Sequence, residues 1–217
     1  MIAAMGLIHL GIPKDLIAEL SRAFGVTYFV ETGTHHGWSA LWASGHFEKV
    51  WTVELDEALF RRASRRLANR ANVEQHLGPS VEMLRSVVPL LDRPAFFWLD
   101  AHWSGEDTGG EAYPCPLQDE IEEIDASPLE HIIAVDDVRF CLNAKPPFGR
   151  GRWPEIGTLA ELLRARHSDA YLAIHYDILF RLPASRAAQF EEIVARPYRR
   201  ESVSRRLKRI IGWRRRQ

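Results

Sequence analysis

The sequence predicts a doubly wound α/β fold, in which a mostly parallel sheet has helices on both faces. Short apolar runs such as Val50–Glu54 and Ala95–Asp100 alternate with segments of helical periodicity. These runs are continuously apolar rather than alternating, which is typical of parallel strands that are buried on both faces. Two further runs near the end, Ala170–Ile174 and Ile178–Leu182, are separated by a short connection and predict a C-terminal antiparallel hairpin at the edge of the sheet.

The predicted elements follow one another along the chain from a first helix. That helix is indicated by apolar residues at helical spacing from Leu16 to Phe24, with Gly25 behind them as a stop signal. The predicted strands of the parallel sheet are Val26–Val30, Val50–Glu54, Val73–Leu77, Ala95–Asp100 and Ile132–Asp137. Five later helices are predicted. They are one that begins with Trp38–Ala43, one at Asp56–Leu67, one from Ser80 through Val87, one that includes Glu120–Ile124 and one at Ile156–Ala165.

Composition and cysteine usage indicate a soluble domain. The 217 residues are 46% hydrophobic and 26% charged, which suits one domain with a sizeable core. No run approaches the roughly 20 apolar residues of a membrane span, and the apolar start, Met1–Ile12, makes a poor signal peptide because no basic residue precedes it. Cys115 and Cys141 lack metal-ligand spacing. They leave a single disulfide open, but we expect reduced cysteines in a cytoplasmic protein.

The charge is distributed unevenly between the body and the C-terminal segment. Nine basic residues and one acid, Glu201, lie between Arg199 and Arg216, so this segment carries +8 and the rest −9. We therefore divide the chain into a domain at 1–198 and a basic amphipathic tail at 199–217. The tail would contact an anionic membrane surface at the inner membrane face, or pack on the acidic body with its charges solvated. No recognised module supports nucleic-acid binding.

The segment 29–39 predicts a strand, a glycine-bearing turn and a helix start. Glu31 would stand at the tip of this strand, and glycines behind it let a ligand approach the backbone and the helix N-terminus. An acid there repels a pyrophosphate but suits a cofactor with a cationic amino-acid end, such as S-adenosylmethionine. Glu54, at the next strand tip, can accept hydrogen bonds from ribose hydroxyls. The alternatives are glycines that serve tight packing, a helix-capping Glu31 and a solvated Glu54.

The order of Glu31-x-Gly33-x-x-x-Gly37, Glu54, the Gly78-Pro79-Ser80 turn and Asp100 resembles class I S-adenosylmethionine-dependent methyltransferases. The resemblance covers roughly Val26–Asp137 and implies a Rossmann-like fold. In that family the first-strand loop holds the methionine end, the second-strand acid binds the ribose and the turn after the third strand flanks the adenine. His35 stands where many members have the middle glycine, and Pro79 where many have an acid. The implied cofactor-binding residues are Glu31, Gly33, Thr34, Gly37, Glu54, Ser80 and Asp100.

Three aspartates near the ends of the fourth and fifth strands are candidate metal ligands. Asp100, Asp136 and Asp137 offer the oxygen ligands that suit magnesium. Their arrangement looks like the metal site of the catechol and macrocin O-methyltransferase group, where such acids hold magnesium against the acceptor hydroxyl. Side chains alternate along a strand, so the acid pair converges on one ion only if the chain turns at Asp136. Otherwise Asp137 would cap the following turn and Asp100 would touch the cofactor.

His102, two residues after Asp100, is the candidate catalytic base, together with Asp100 at the site of transfer. Methyl transfer to a hydroxyl needs alignment and removal of a proton, and a metal would assist by lowering the pKa of the hydroxyl. A structural histidine bonded to a backbone carbonyl is the alternative. The segments Gly105–Pro116 and Pro146–Pro154 would act as lids over the acceptor pocket or merely connect their neighbours.

These features support one leading hypothesis and two alternatives. The leading one is a magnesium-dependent O-methyltransferase that acts on a hydroxyl of a small molecule, or of a sugar or glycan intermediate. The second is a non-catalytic methyltransferase-like scaffold that the basic tail docks to membrane or to an acidic partner. An NAD-dependent oxidoreductase is disfavoured by Glu31 and by the incomplete Gly-x-Gly-x-x-Gly pattern. The exposed edges of such sheets commonly pair with each other, so a homodimer is one expected possibility.

Overall fold

The computed structural model describes residues 11–101, 115–142 and 153–196. The strands are β1 (Tyr28–Thr32), β2 (Lys49–Glu54), β3 (Val73–Leu77), β4 (Ala95–Leu99), β5 (Ile132–Val135), β6 (Tyr171–His175) and β7 (Ile178–Leu182). The helices are α1 (Lys14–Phe24), α2 (Trp38–Ala43), α3 (Glu57–Leu67), α4 (Ser80–Val87), α5 (Leu117–Ile124) and α6 (Ile156–Arg164), with a further helix, α7, through residues 187–196.

All these strands form one seven-stranded sheet in the order β3-β2-β1-β4-β5-β7-β6. The first five strands are parallel, whereas β7 runs antiparallel to both β5 and β6. The turn between β6 and β7 places Tyr176 and Asp177 at φ angles of 54° and 67°. Two central residues with positive φ match the right-handed twist of a hairpin. The predicted fold class, including the C-terminal antiparallel hairpin, is confirmed.

Helices cover the sheet on both faces because alternate strand residues point to opposite sides. Phe29 and Phe96 pack into one apolar layer with α1, α2, α3 and α7. Their neighbours Val30 and Phe97 pack into the other layer with α4, α5 and α6. Strand β4, at the centre, is buried along its whole length. Burying a large apolar side chain stabilises a fold by about 1.5–3 kcal/mol, so these two layers provide the main driving force for folding.

The first strand lies two residues later than the pattern at Val26–Val30 predicts. Gly25 adopts φ 69° and ends α1, and the N–H of Val26 donates to the carbonyl of Ser21 at 2.9 Å. This bond belongs to the helix exit, because it satisfies a carbonyl of the last turn of α1. Glu31 therefore lies within β1, opposite Thr52 of β2 and Trp98 of β4, rather than beyond its tip.

Several predicted features lie outside the described residues. They are His102, the tail at 199–217, and all but the ends of the segments Gly105–Pro116 and Pro146–Pro154. Cys115 and Cys141 are both free thiols, and burial raises their pKa values to about 11 and about 12. Within the described ranges, no helix is long and apolar enough to cross a membrane.

Candidate functional site

The loop after β1 is pressed against the end of β4. The N–H groups of Gly33 and Thr34 both donate to the carbonyl of Val53, at 3.1 and 2.8 Å. Gly33 has φ +89°, and a Cβ atom there would lie 2.6 Å from the backbone oxygen of Asp100. Only glycine fits both the backbone angle and the contact. The glycine that the sequence singles out thus brings the loop and Asp100 together.

Gly37 serves helix packing in this structure. It has φ +74°, and a Cβ atom there would lie 3.1 Å from the Cβ of Ala63 in α3. The residue precedes α2, so its lack of a side chain lets α2 approach α3 closely. The contact that the structure shows is the tight-packing alternative, and the cofactor contact stays a prediction.

Glu31 is buried and held by hydroxyl groups. Its side chain is 1% exposed, and the hydroxyl of Thr52 donates to Oε2 at 2.7 Å. Thr34 and Thr52 share a further hydrogen bond of 2.6 Å, so a relay of hydroxyls links the loop to the carboxylate. Burial raises the pKa of Glu31 to about 7, the hydrogen bonds from Ser39 and Thr52 oppose the rise, and the charge of Glu54 adds to it. A cation placed nearby would favour the ionised form.

Glu54 accepts two backbone hydrogen bonds at the end of β2. The N–H of His35 donates to Oε2 at 2.6 Å, and the N–H of Asp56 donates to Oε1 at 2.9 Å. The carboxylate therefore holds the left-handed backbone of His35, at φ 46°, and the turn into α3. A carboxylate has about four acceptor positions, so these two bonds leave capacity for a ligand hydroxyl.

Two apolar side chains are exposed beside Glu54. Leu55 follows β2 and Leu77 ends β3, and their side chains are 48% and 50% exposed. The N–H of Gly78 donates to the carbonyl of Glu54 at 2.9 Å, which keeps the two strand ends together. Ser80 is buried at the first position of α4. The ends of β2 and β3 thus combine a carboxylate with an apolar surface.

A cleft of about 260 Å³, here called the β1–β4 cleft, lies where the start of α1, the loop after β1 and the end of β4 meet. Of the predicted site residues, Gly33, Thr34 and Asp100 line it, whereas Glu31, Gly37, Glu54 and Ser80 lie outside its walls. The lining residues are Gly11, Ile12, Lys14, Gly33, Thr34, His35, His36, Trp38, Ser39, Trp98 and Asp100.

The outer rim of this cleft is aromatic and basic. Trp38 is 57% exposed, and the guanidinium carbon of Arg66 lies 3.7 Å from the centre of its ring. Arg66 also donates to the carbonyl of His36, whose ring stacks on that of His35 at 4.0 Å. Burial lowers the pKa of His36, and the charges of His35, Arg62 and Arg66 act in the same direction. The neutral form of His36 is favoured as a result.

The end of β5 has a different arrangement. The chain turns at Asp137, with φ 56°, and the Asp137 N–H donates to Asp136 Oδ1 at 2.8 Å. The Asp137 carboxylate forms an ion pair with Arg139, and the same guanidinium pairs with Asp177 from the hairpin turn. The backbone N–H of Arg139 also donates to Asp177, at 2.8 Å. Arg139 therefore lies between two carboxylates at this end of the sheet.

The predicted magnesium ligands do not form a metal site within the described part of the chain. There, no group of three or more His, Cys, Asp or Glu side chains is arranged to hold a metal ion. Asp100 lines the β1–β4 cleft, and Asp137 is engaged by Arg139. The donor set suits a hard cation in its chemistry but not in this arrangement, so the magnesium site and the role of His102 stay predictions.

Two residues of the cleft escape sequence reasoning. Trp98 lies in a continuously apolar strand, so the sequence predicts a core residue. It is indeed buried, but it also lines the cleft. Lys14, at the start of α1, has no motif around it, and only the tertiary fold brings it to the loop after β1. Arg139 lies at the β5 end rather than in the cleft. Its position two residues after Asp136-Asp137 is the feature of the sequence that could have identified it.

No family model matches the chain, and no curated protein matches its sequence. Solved structures match its fold. An O-methyltransferase from Bacillus cereus, solved in complex with S-adenosylhomocysteine, is 18% identical, with 80% of this chain and 83% of that chain covered and a TM-score of 0.54. A candidate caffeoyl-CoA O-methyltransferase from Staphylococcus aureus is 17% identical, with coverages of 81% and 85% and a TM-score of 0.55.

A third match is TomG, the O-methyltransferase from Streptomyces achromogenes involved in tomaymycin synthesis, solved in complex with S-adenosylmethionine. It is 17% identical, with 81% of this chain and 82% of that chain covered and a TM-score of 0.50. The chain therefore has the fold of class I S-adenosylmethionine-dependent methyltransferases. Within that class, two of these matched structures are described as O-methyltransferases and the other as a candidate one.

Proposed function

We propose that the protein transfers the methyl group of S-adenosylmethionine to a hydroxyl oxygen of an acceptor. The observation that carries the proposal is the β1–β4 cleft, which lies at the carboxyl ends of the parallel strands of a methyltransferase fold. Ligands of open α/β sheets bind at this edge. The volume of the cleft suits the amino-acid end of the cofactor, with the adenosine extending toward β2 and β3.

The charges around the cleft favour a cationic amino-acid end. S-adenosylmethionine has positive charges on its ammonium and its sulfonium groups. Asp100 lines the cleft, and the carboxylate of Glu31 lies behind the hydroxyls of Thr34 and Thr52. Burial raises the pKa of Glu31 to about 7, and a cationic ligand would lower it again and so favour the ionised form that attracts the ligand.

The ends of β2 and β3 suit the adenosine end. Glu54 keeps acceptor capacity for a ribose hydroxyl beside its two backbone donors. Leu55 and Leu77 expose apolar surface beside it, on which a planar base would be shielded from water. Pro79 has no side-chain oxygen for the exocyclic amine of adenine, so we expect the base to be held by apolar contact and by backbone groups.

The reaction is a direct displacement. The acceptor oxygen attacks the methyl carbon, the carbon–sulfur bond breaks with its electron pair on sulfur, and S-adenosylhomocysteine remains. The acceptor oxygen loses its proton to a base, for which we propose His102 from the sequence alone. The chief task of the described residues is to align the methyl donor, since good alignment of reacting groups lowers the barrier substantially.

Magnesium is part of the proposal only as a prediction from the sequence. When bound beside the acceptor, it would lower the pKa of the hydroxyl. The described aspartates are not arranged as a metal site, so the proposed methyl transfer does not depend on magnesium. A small hydroxylated molecule or a sugar or glycan intermediate as acceptor, a cytoplasmic location and a membrane contact through the tail at 199–217 are likewise proposals.

Ligand-dependent unfolding of the full chain tests the cofactor. S-adenosylmethionine and S-adenosylhomocysteine should raise the midpoint of thermal unfolding, because a ligand at about 100 times its dissociation constant stabilises the folded state by about 2.7 kcal/mol. NAD should leave the midpoint unchanged. Repeating each measurement with magnesium tests the metal separately. A rise in the midpoint with NAD alone would contradict the proposed function. So would an unchanged midpoint with both S-adenosylmethionine and S-adenosylhomocysteine.

Turnover is tested by the release of S-adenosylhomocysteine with a panel of hydroxylated acceptors. Asp100→Asn should abolish release with every acceptor that the wild type methylates, because it removes the charge from the cleft wall. The matched control is Asp92→Asn, an exposed aspartate whose partner is Arg93. Equal loss in both variants, or full activity of Asp100→Asn, would exclude the role given to Asp100.

A further inference from the structure

We propose that the side chain of Lys14 binds the α-carboxylate of the cofactor and thereby selects ligands that have an amino-acid end. The inference rests on the proposed function, since it assigns a residue to the methionine end of S-adenosylmethionine. Lys14 is the first residue of α1 and lines the β1–β4 cleft together with Gly33 and Asp100. It is the only lysine or arginine among the described residues that line this cleft.

Lys14 has no acidic partner of its own. Its side chain is exposed, and within the described ranges no carboxylate lies within 4.0 Å of its Nζ. The nearby guanidinium of Arg66 is stacked on Trp38 and bonded to the carbonyl of His36. The ammonium group of Lys14 is therefore the cation that remains available to a ligand in the cleft.

The position of Lys14 is not explained by helix stability. A cation in the first turn of a helix meets the positive end of the helix dipole, which is unfavourable. The remainder of α1 follows the favourable rule, with Asp15 in its first turn and Arg22 in its last. Local rules of this kind are commonly broken at functional positions. Lys14 is the residue of α1 that breaks the rule, and it is the one that lines the cleft.

The charges of the cleft match a zwitterion. Asp100 stands on the β4 wall and Lys14 on the α1 wall. A methionine end has a cationic and an anionic group on the same carbon, so its ammonium would face the acidic wall and its carboxylate the basic one. Hydrogen bonds between ionised groups are about twice as strong as neutral ones. Lys14 would therefore contribute to affinity only when the ligand has a carboxylate.

Two ligands separate this role from a general effect on the cleft. S-adenosylhomocysteine has the amino-acid end, whereas 5′-methylthioadenosine has the same adenosine and sulfur without it. We would measure both dissociation constants by calorimetry on the full chain, for wild type, Lys14→Met, Lys14→Arg and Arg22→Met. The last variant removes a basic side chain from the same helix, in its last turn and away from the cleft.

Lys14→Met should weaken S-adenosylhomocysteine about 5- to 30-fold, between the effects of an exposed ion pair and a charge-assisted hydrogen bond. The affinity for 5′-methylthioadenosine should change less than about twofold, which is within the effect of a weak exposed ion pair. Lys14→Arg should retain most of the wild-type affinity, and Arg22→Met all of it. The unliganded Lys14→Met variant should unfold at an equal or higher temperature, because it loses an unfavourable dipole contact.

An unchanged affinity of Lys14→Met for S-adenosylhomocysteine would overturn the inference while leaving the proposed function intact. An equal loss for both ligands would also overturn it, since that result indicates a damaged cleft. Failure of the wild type to bind S-adenosylhomocysteine would overturn the proposed function together with the inference.

Discussion

The two ends of the sheet's carboxyl edge stabilise their acids in different ways. Beside β1 and β2, Glu31 and Glu54 accept hydrogen bonds from neutral groups, two hydroxyls in one case and two backbone N–H groups in the other. Beside β5 and the hairpin, Asp137 and Asp177 are both paired with the guanidinium of Arg139.

Neutral donors stabilise a carboxylate without cancelling its charge, whereas a guanidinium cancels it. Among the described residues, no basic side chain forms an ion pair with Glu31 or Glu54. In the described part of the chain, the β1–β2 end therefore leaves both acids without a neutralising cation, and a cationic ligand would favour the ionised form of Glu31, whose pKa burial raises to about 7. At the β5 end, a metal or a cationic ligand that used Asp137 or Asp177 would have to displace Arg139 from that carboxylate, which costs the energy of the ion pair.

The largest effect should come from Gly33→Ala at the β1 end. The new Cβ atom would lie 2.6 Å from the Asp100 backbone oxygen, at a φ of +89°. A left-handed conformation for alanine and an overpacked contact together should destabilise the fold by about 3–5 kcal/mol. Urea unfolding measures the change, and calorimetry with S-adenosylhomocysteine should show that binding is lost.

The matched control is Gly157→Ala in α6, where a new Cβ atom meets nothing within 4 Å. Alanine is the better helix former, so this variant should be about 0.5–1 kcal/mol more stable than wild type. If Gly33→Ala were as stable as this control, the close approach between the loop and β4 would be wrong.

The next effect should be a pH-dependent one from Glu31→Gln. The pKa of Glu31 in the folded state is about 7, against 4.5 in the unfolded chain. The folded state thus holds a proton that the unfolded state has released, so the stability from this site is full below pH 4.5 and is lost as the pH rises to 7.

The glutamine variant has no such loss. It should match wild type near pH 4.5 and exceed its unfolding free energy by about 2–3 kcal/mol at pH 8. Its affinity for S-adenosylmethionine should fall about tenfold, since the cation loses its counter-charge. Unfolding curves at both pH values check the first expectation. If the difference in unfolding free energy between Glu31→Gln and wild type were the same at both pH values, the raised pKa of Glu31 would be wrong.

A smaller effect is expected at the other end, from Arg139→Met. Two carboxylates would lose their cation, but Arg139 and Asp137 are partly exposed and only Asp177 is largely buried, so the cost should be about 1–2 kcal/mol. Arg85→Met, which breaks an exposed pair with Glu123, should cost less than about 1 kcal/mol.

The same variant tests the comparison between the two ends. Removal of Arg139 should strengthen the binding of magnesium or manganese, measured by calorimetry, because the freed aspartates regain their charge. Equal metal affinity in wild type and Arg139→Met would contradict the view that Arg139 neutralises this end.

The fold could be predicted to a large extent because burial leaves a direct trace in the pattern of residues. The run at Ala95–Leu99 is apolar at every position, as a strand in the centre of a parallel sheet must be. The hairpin of β6 and β7 could be predicted equally well from its two apolar runs. The start of β1 was not, because Val26 could belong to a strand or to the exit of α1, and a backbone hydrogen bond decides between them.

The candidate site could be predicted in part. The need for glycine at Gly33 is visible behind a strand, but its contact with the Asp100 backbone is tertiary. The aspartates at the ends of β4 and β5 were recognisable as acids near one edge. In the described structure they are not arranged as a group that could hold a metal ion, and Arg139 forms an ion pair with one of them. No motif singles out Lys14, since its place in the cleft depends on how α1 packs.

The position of β7 between β5 and β6 has a consequence for synthesis of the chain on the ribosome. Strand β5 is buried on both faces and has β4 on one side, but its other edge is covered only by β7. That edge stays open until Leu182 has emerged from the exit tunnel. An open apolar edge is a template for wrong pairing between chains. The hairpin that completes the sheet thus also closes the edge of β5 to pairing with other chains.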